Sequence, residues 1–265
     1  MRKTSLVIAI ALVAGTWTAV SSTAAGAFEQ RFSLRCSASH MAVDDPIVSP
    51  GTDASHLHVF FGNVSVQRFS TYASMRASGT TCTVGGDTAG YWIPTLLASD
   101  GAVVPASHAT AYYRAIGVFR TMSISAFPAD LRMISSRHEW LCKDSQTFSS
   151  PPNCDTRERG FRDVGLRIVF GSCWDGVNLD AVDHRSHIAF GSTRRGCPST
   201  HPVPMPRLAL NVRFDTKNAT GMFLSSGEPA TAHGDFWNTW DQAELERLVA
   251  RCLGSTAVVH CGSLT

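Results

Sequence analysis

The stretch Leu208-Ala209-Leu210-Asn211-Val212-Arg213-Phe214 alternates large apolar residues with smaller or polar ones. Successive side chains of an extended strand point to opposite faces of a sheet, so this pattern predicts a strand with one face in the core. Shorter runs rich in β-branched and aromatic residues predict further strands. These runs are Tyr91–Ile93, Tyr112–Tyr113, Ile116–Phe119 and Leu166–Phe170.

A single helix is well signalled, near the C-terminus. Asp241 and Glu244 have the spacing of a helix cap, and an apolar stripe follows at Leu245, Leu248, Val249 and Cys252. Clusters of Gly, Pro, Ser and Asn separate the strand-like runs. We therefore predict a mainly β protein, a β-sandwich or jelly roll with long loops and a short C-terminal helix.

The first 27 residues have the pattern of a secretory signal peptide: a basic start, a short apolar run and a small-residue end at Ala25-Gly26-Ala27. We predict a single mature domain over residues 28–265. Cleavage would remove two of the 23 basic residues and none of the 21 acidic ones, so the mature chain would be neutral. This balance argues against nucleic acid as a partner. No apolar run is long enough to predict a membrane span.

Eight cysteines lie in the predicted mature chain, an even number that favours four disulfides in an oxidising compartment. Short loops favour Cys142–Cys154 and Cys252–Cys261, and Cys173–Cys197 with Cys36–Cys82 would complete the set. Sequence alone leaves the other connectivities open. Under this pairing, residues 143–160 and 192–206 are disulfide-stapled surface loops. A zinc–thiolate site is the alternative, but the sequence has no C-x-x-C pair.

Histidines are the main candidates for chemistry. His56 and His58 form an H-x-H, and on a strand such residues share a face with Cα atoms about 7 Å apart. Histidine and carboxylate side chains together are the ligands of zinc, manganese, non-haem iron or copper. The cofactor hypothesis is a divalent metal, with candidate ligands His56, His58, His184, His187 and His233. The alternative is that each imidazole only bonds a backbone carbonyl or a neighbouring acid.

Carboxylates in or beside loops form a second candidate set: Asp44, Asp45, Asp175, Asp180, Asp183, Glu228 and Asp235. Two carboxylates across a cleft can hydrolyse a glycosidic bond, one as acid and one as nucleophile or base. We predict acid–base roles for Asp175, Asp183 and Asp235. Candidate substrate-binding residues are His201, Arg185, Trp174 and Trp237.

Several known catalytic motifs are absent. The run from His138 to Cys142 begins like a zincin helix, but a cysteine stands where the second histidine is needed. The sequence contains no G-x-S-x-G nucleophile elbow and no P-loop.

Five motifs in fixed order carry a family resemblance: S-H-L-H at 55–58, S-C-W-D-G at 172–176, D-H-R-S-H at 183–187, C-P-S-T-H-P at 197–202 and H-G-D-F at 233–236. Roughly residues 44–252 resemble the domain-of-unknown-function family nineteen-ninety-six, secreted domains of fungi and bacteria. The resemblance implies a secreted single domain with a link to polysaccharide or cell-wall environments. The family's histidine motifs map onto six residues here: His56, His58, His184, His187, His201 and His233.

We therefore predict a secreted, extracellular and monomeric domain with a His/Asp-rich cleft around His56, His184 and His233. The hypothesis for its function is hydrolysis of extracellular or cell-wall polysaccharide, assisted by a metal. Two alternatives stay open. A non-catalytic glycan-binding module predicts an exposed strip of tryptophans, and a secreted metal-binding protein predicts metal uptake without turnover.

Overall fold

The computed structural model describes residues 30–143, 145–160, 162–259 and 261–265. The predicted signal peptide lies outside these residues. The strands within them are β1 (Arg31–Ala42), β2 (His58–Gly62), β3 (Gly90–Pro94), β4 (Leu96–Leu97), β5 (Ala106–Arg114), β6 (Arg132–Ser135), β7 (His138–Lys143), β8 (Gln146–Phe148), β9 (Gly165–Val169), β10 (Cys173–Trp174), β11 (Ile188–Ala189), β12 (Val203–Pro204), β13 (Arg207–Phe214), β14 (Phe223–Leu224), β15 (Gly234–Trp237) and β16 (Gly262–Ser263). The α-helices are α1 (Tyr72–Arg76) and α2 (Gln242–Cys252), and short 3-10 helices lie at Gly117–Thr121, Pro229–Thr231 and Gly254–Thr256.

One large sheet organises the fold. Its strands run in the order β6-β15-β3-β2-β1-β5-β13-β9-β7-β8, with every neighbouring pair antiparallel, and β16 adds to β1 in parallel. The long strand β1 pairs with β5 through residues 31–37 and with β2 through residues 38–42. An irregularity in register falls between Ala38 and His40. Strand β1 thus belongs to both halves of the sheet.

The two halves of the sheet curl until their inner faces meet. The hydroxyl groups of Tyr91 on β3 and Tyr113 on β5 lie 2.6 Å apart. The rings of Phe236 on β15 and Phe170 just after β9 are 6.3 Å apart, and the Cα of Gly234 lies so close to Ile168 that a Cβ there would be 3.0 Å from it. The predicted mainly β, sandwich-like architecture is confirmed.

Strand β13 lies between β5 and β9, as its alternating sequence predicts. Leu208, Leu210, Val212 and Phe214 all point into the core and are fully buried. The runs at Tyr91–Ile93, Tyr112–Tyr113 and Leu166–Phe170 also form strands, except that the last run leaves β9 after Val169.

The strand prediction for Ile116–Phe119 is wrong. This run enters the 3-10 helix Gly117–Thr121 because Gly117 has a φ of +53°, which breaks an extended chain. A Cβ at Gly117 would also lie within 2.1 Å of the Thr193 carbonyl oxygen. Strand propensity counts the apolar and β-branched side chains of this run but does not take account of the turn in which they lie.

Helix α2 begins where the sequence predicts. The Asp241 carboxylate accepts the Glu244 backbone N–H at 3.0 Å, and the predicted apolar stripe is buried. None of the helices within the described ranges has the length and apolar character needed to span a lipid bilayer.

All eight cysteines form disulfides. Cys142–Cys154 and Cys252–Cys261 are the pairs that short loops favoured, and Cys36–Cys82 with Cys173–Cys197 complete the set. This excludes a zinc–thiolate site. Strand β8 lies inside the first predicted loop and β12 inside the second, so both stapled segments contribute short strands. Four disulfides are consistent with an oxidising, extracellular environment.

The outer face of β2, β3 and β15 carries a second, smaller core. Directly opposite residues of an antiparallel pair share a face, so the pairing of Phe60 with Trp92 and of Trp92 with Asp235 places all three on this side. Ile47, from the segment between β1 and β2, packs with Phe60, Trp92 and Trp237 here. The candidate site lies on this same outer face, next to the outer core.

A buried carboxyl in the main core makes stability depend on pH. Asp87 accepts hydrogen bonds from the Tyr91 hydroxyl and the Ala89 N–H, and burial raises its pKa to about 8. Because the folded pKa lies above the unfolded value, the stability it contributes is complete below about pH 4. That contribution is lost as the pH rises through about 8. We therefore expect the free energy of unfolding, measured with urea, to decrease as the pH is raised from about 4 to about 8.

The matched variant Asp87→Asn keeps the shape of the side chain and removes its titration. Its unfolding free energy should depend less on pH over the same range. Equal pH slopes for the two proteins would contradict this account of Asp87.

Candidate metal centre

The candidate site lies where β1 ends and where β2 and β15 begin. His58 is the first residue of β2 and pairs with Pro94, two residues along β3 from the Trp92 that pairs with Asp235. Since alternate residues of a strand share a face, the side chains of His58 and Asp235 lie on the same outer face of the sheet. His233 precedes β15 directly, and His56 precedes β2 by two residues.

Three imidazoles converge at this position. The ring centroids of His56 and His58 are 4.3 Å apart, and that of His233 lies 5.1 Å from His56 and 5.9 Å from His58. The Nε2 atoms of His56 and His233 are 3.3 Å apart. Two nitrogens bound to one tetrahedral Zn²⁺ at 2.0–2.1 Å would be separated by about the same 3.3 Å.

Hydrogen bonds on the far side of each ring set its orientation. The Nδ1–H of His58 donates to the Asp44 carbonyl at 3.0 Å, and that of His233 donates to the Thr231 carbonyl at 2.9 Å. A carbonyl only accepts, so neither Nε2 carries a proton in a neutral ring, and each presents a lone pair. His56 Nδ1 lies 2.9 Å from the Ser55 hydroxyl, which can donate or accept. Rings held through the second nitrogen in this way are typical of metal ligands.

Two carboxyl groups complete the donor set. Asp235 is fully buried, and neither of its oxygens has a hydrogen-bond partner among the described residues. Asp45 is 4 % exposed, and its Oδ1 accepts the backbone N–H groups of Ile47 and Val48, each at 3.0 Å. Donor atoms of Asp45, His58 and Asp235 lie within 4.8 Å of one another, as do those of the three histidines.

Burial shapes the protonation of these groups. It lowers the pKa of His58 to about 3 and that of His56 to about 4, with neighbouring imidazoles lowering both further. Burial also lowers the pKa of His233. The rings are therefore neutral at physiological pH, which is the form that binds metals. Burial and the nearby Asp45 carboxylate raise the pKa of Asp235 well above its usual range.

The donors border a small cavity of about 140 Å³ that is open to solvent. His56, His233, Asp45 and Asp235 line it, and the exposed Arg185 lies at its edge. Water and a polar group of a substrate could therefore enter the cavity beside His56 and His233, whereas the fully buried His58 does not line it.

Comparison with known families gives a match over residues 45–240 to the family described as Domain of unknown function (DUF1996). The chain belongs to this family. Searches of curated proteins and of solved structures found no match. The DUF1996 match begins at Asp45 and includes His56, His58, His233 and Asp235, so all five donors belong to the shared domain.

The other three histidines of the DUF1996 motifs have separate partners. His184 Nδ1 lies 2.9 Å from an Asp180 carboxylate oxygen, His187 Nε2 lies 2.7 Å from the Arg132 carbonyl, and His201 Nε2 lies 2.9 Å from the Ser186 carbonyl. None of them belongs to these two donor groups or to the third group found in the described part of the chain, which joins Asp87 with the disulfide-bonded Cys36 and Cys82. Together they fasten the segment that carries Arg185.

Two of the predicted acid–base residues of this DUF1996 domain lie in turns. For Asp175, burial is the largest single effect and raises the pKa, but the hydrogen bonds from the Val177 N–H, the Asn178 N–H and the Asn178 side chain together outweigh it and lower the pKa. Asp183 is exposed and accepts the N–H groups of Ser186 and Arg185, which lower its pKa to about 2. Both are therefore ionised at neutral pH, and neither is a proton donor there.

The two predicted aromatic contacts also differ in exposure. Trp174 is partly exposed and donates its Nε1–H to the Asn178 carbonyl at 2.6 Å. Trp237 is 1 % exposed, bonds Asp130 through Nε1, and lies beneath the guanidinium of Arg132. A ring so covered has no free face for a sugar.

Asp45 is the residue that the sequence prediction of the site did not select. The sequence places it among seven loop carboxylates, and the chain lacks any spacing that ties it to the histidines. Its position beside His56 depends on how the 43–57 segment folds back over the outer face. The one sequence feature that could have identified Asp45 is its place at the start of the D-P-I-V-S-P-G run (45–51), which comes shortly before S-H-L-H.

Proposed function

We propose that the domain is secreted and holds one divalent metal ion with His56, His58, His233 and Asp235, and that this centre hydrolyses extracellular polysaccharide. The observation that supports it best is Asp235, a fully buried carboxyl whose two oxygens have no hydrogen-bond partner among the described residues, close to three converging imidazoles of which two line the same cavity. A buried polar group without a partner is costly, and native proteins retain such groups mainly at functional sites.

The donor set matches the charge of a divalent cation. Three neutral imidazoles and the two carboxylates of Asp45 and Asp235 supply two negative charges. Histidine with carboxylate ligands suits Zn²⁺, Mn²⁺ or non-haem Fe²⁺. A bound cation would also offset the cost of ionising Asp235 in an apolar environment.

The proposed chemistry uses these residues in distinct roles. A divalent cation held by these residues would supply Lewis-acid chemistry, lowering the pKa of a nearby water so that it could act as a nucleophile. Asp45, held by two backbone N–H groups, is placed to accept a proton from that water. Water would then add across the glycosidic C–O bond, with its hydroxyl going to the sugar carbon, and the proton accepted by Asp45 would pass to the departing oxygen. The predicted export of the chain and the polysaccharide link that the family resemblance implies favour a polysaccharide as the substrate.

A metal-free acid–base site is the second candidate. Asp45 and Asp235 have donor atoms within 4.8 Å, and burial raises the pKa of each. Two close carboxyls whose pKa values are displaced can share a proton and divide the roles of acid and base.

The glycan-binding module has less support. Of the five tryptophans in the described residues, Trp92, Trp140, Trp237 and Trp240 are at most 1 % exposed. A planar strip of stacking rings is therefore absent from that part of the chain.

Metal analysis of the secreted protein tests the proposal. After dialysis against buffered Zn²⁺ or Mn²⁺ and removal of the free metal, we expect elemental mass spectrometry to find one tightly held ion per chain. We also expect hydrolysis of at least one member of a polysaccharide panel, lost with a chelator and restored by metal. Metal-free protein with full activity would favour the acid–base pair, and metal uptake without any turnover would favour a metal-binding protein.

A further inference from the structure

A groove leads away from the metal cavity and shares a wall with it. Arg185 and Ile134 border both the cavity and an adjoining groove of about 300 Å³. Arg137 and Phe190 line the far part of this groove. A ligand placed at the metal cavity could therefore continue past Arg185 toward Phe190.

Two arginines give the groove positive charge, and Arg185 also interacts electrostatically with the buried Asp235 of the neighbouring cavity. Arg137 and Arg185 are both exposed, and neither guanidinium forms an ion pair with a carboxylate in the described part of the chain. The guanidinium carbon of Arg137 lies 5.0 Å from the centre of the Phe190 ring, which is itself 43 % exposed. An exposed aromatic ring beside a free guanidinium offers both an apolar face and a fork of N–H donors.

Backbone contacts hold these groove residues in place. The Arg137 N–H donates to the Ser135 hydroxyl, and its carbonyl accepts the Val169 N–H at 2.9 Å. Gly171 lies against β11, where a Cβ would be 2.5 Å from Ile188, so the groove floor requires a glycine. Arg185 is positioned by the loop that His187 and His201 fasten. The groove is thus preformed, which lowers the cost of binding.

We propose that this groove binds an acidic saccharide, with Arg137 and Arg185 pairing with carboxylate or sulfate groups and Phe190 packing on a sugar ring. The proposal deepens the proposed function, on which it rests for the cleavage position, by naming the substrate class. Guanidinium groups pair with planar or tetrahedral anions through two parallel N–H···O bonds. Two arginines in a chain whose formal net charge is only +2 fit anionic groups spaced along a glycan better than the dense phosphates of nucleic acid.

Isothermal titration calorimetry at low salt tests the groove directly. The probes are a short oligogalacturonate for carboxylates, a chondroitin sulfate oligosaccharide for sulfates, a neutral malto-oligosaccharide and a single-stranded DNA oligonucleotide. We expect one or both acidic saccharides to bind at least about tenfold more tightly than the neutral one. The stronger acidic probe identifies the anionic group. Equal affinity for the neutral sugar, or tighter binding of the oligonucleotide, would overturn the proposal.

Variants locate the binding. Arg137→Ala should weaken binding of the acidic probe about ten- to a hundredfold, and Arg137→Lys should retain part of it because charge remains without the fork. Arg251→Ala, an exposed arginine on α2, is the matched control and should bind as the native protein does. Native-like affinity of Arg137→Ala would contradict the assignment.

The same titration with chelator-treated protein separates this proposal from the metal centre. Because the groove's arginines need no metal, the acidic probe should still bind after chelation. Binding that survives in a protein that takes up no metal would support the groove while refuting the metal centre. If instead a metal-loaded, active protein shows no preference for the acidic probe, the result would support the metal centre and refute the groove proposal.

Discussion

Replacing His58 with alanine is expected to lower the affinity for Zn²⁺ by more than about a hundredfold, since even outer-shell changes at metal sites cost about ten- to a hundredfold. His58 belongs to both donor groups, and its Nδ1–H is fixed on the Asp44 carbonyl, so its Nε2 has no substitute. Competition with a chromophoric chelator measures the affinity. Stabilisation by metal follows affinity, so the rise in melting temperature on adding Zn²⁺ should also vanish.

The matched control is His138→Ala. His138 is partly exposed on β7, its Nδ1 lies 3.0 Å from the Ser136 carbonyl, and it belongs to neither donor group. Its removal should leave Zn²⁺ affinity unchanged. If both variants bind Zn²⁺ as the native protein does, the three converging imidazoles are not the metal site.

Replacing Asp235 with asparagine is expected to stabilise the metal-free protein and to remove its response to metal. Asparagine keeps the size of the side chain but needs no proton to stay neutral in the fully buried position. We expect the free energy of unfolding in chelator at neutral pH to rise by about 1 kcal/mol or more, since each unit by which burial raises the carboxyl pKa costs about that much and the amide avoids this cost. For a chain of this size, that corresponds to roughly 2–4 °C in melting temperature for each kcal/mol.

Asp155→Asn is the control for this second experiment, because it makes the same chemical change at an exposed loop position. It should alter stability by less than about 0.5 kcal/mol. A destabilised Asp235→Asn protein in chelator would mean that the carboxyl is a structural element of the fold and not a group retained for binding.

The sequence predicts much of this fold because its strongest strands have simple periods. Strand β13 alternates over its whole length and forms the centre of one half of the sheet, and the Asp241 cap and its apolar stripe specify α2. The failure at Ile116–Phe119 has a local cause, since Gly117 adopts a left-handed backbone conformation that strand propensity does not consider.

Part of the site is also visible in the sequence. The H-x-H spacing and the His233-Gly234-Asp235 run each bring two donors together locally. The two pairs of donors come together in space because β3 pairs with both β2 and β15 and sets their register. His184 and His187 have an equally plausible ligand spacing, but Asp180 and the Arg132 carbonyl take their imidazoles. Spacing identifies pairs of donors, and only tertiary register shows which pairs converge.

A metal held by this site would crosslink residues that are far apart in the sequence, much as a disulfide does. His56 and His233 are 177 residues apart, whereas the longest disulfide loop, Cys36–Cys82, spans 46. No disulfide joins the start of β2 to the start of β15. Bound metal would therefore be the one crosslink that holds β15 to β2 through their side chains, and its removal should loosen that edge of the sheet while every disulfide stays intact.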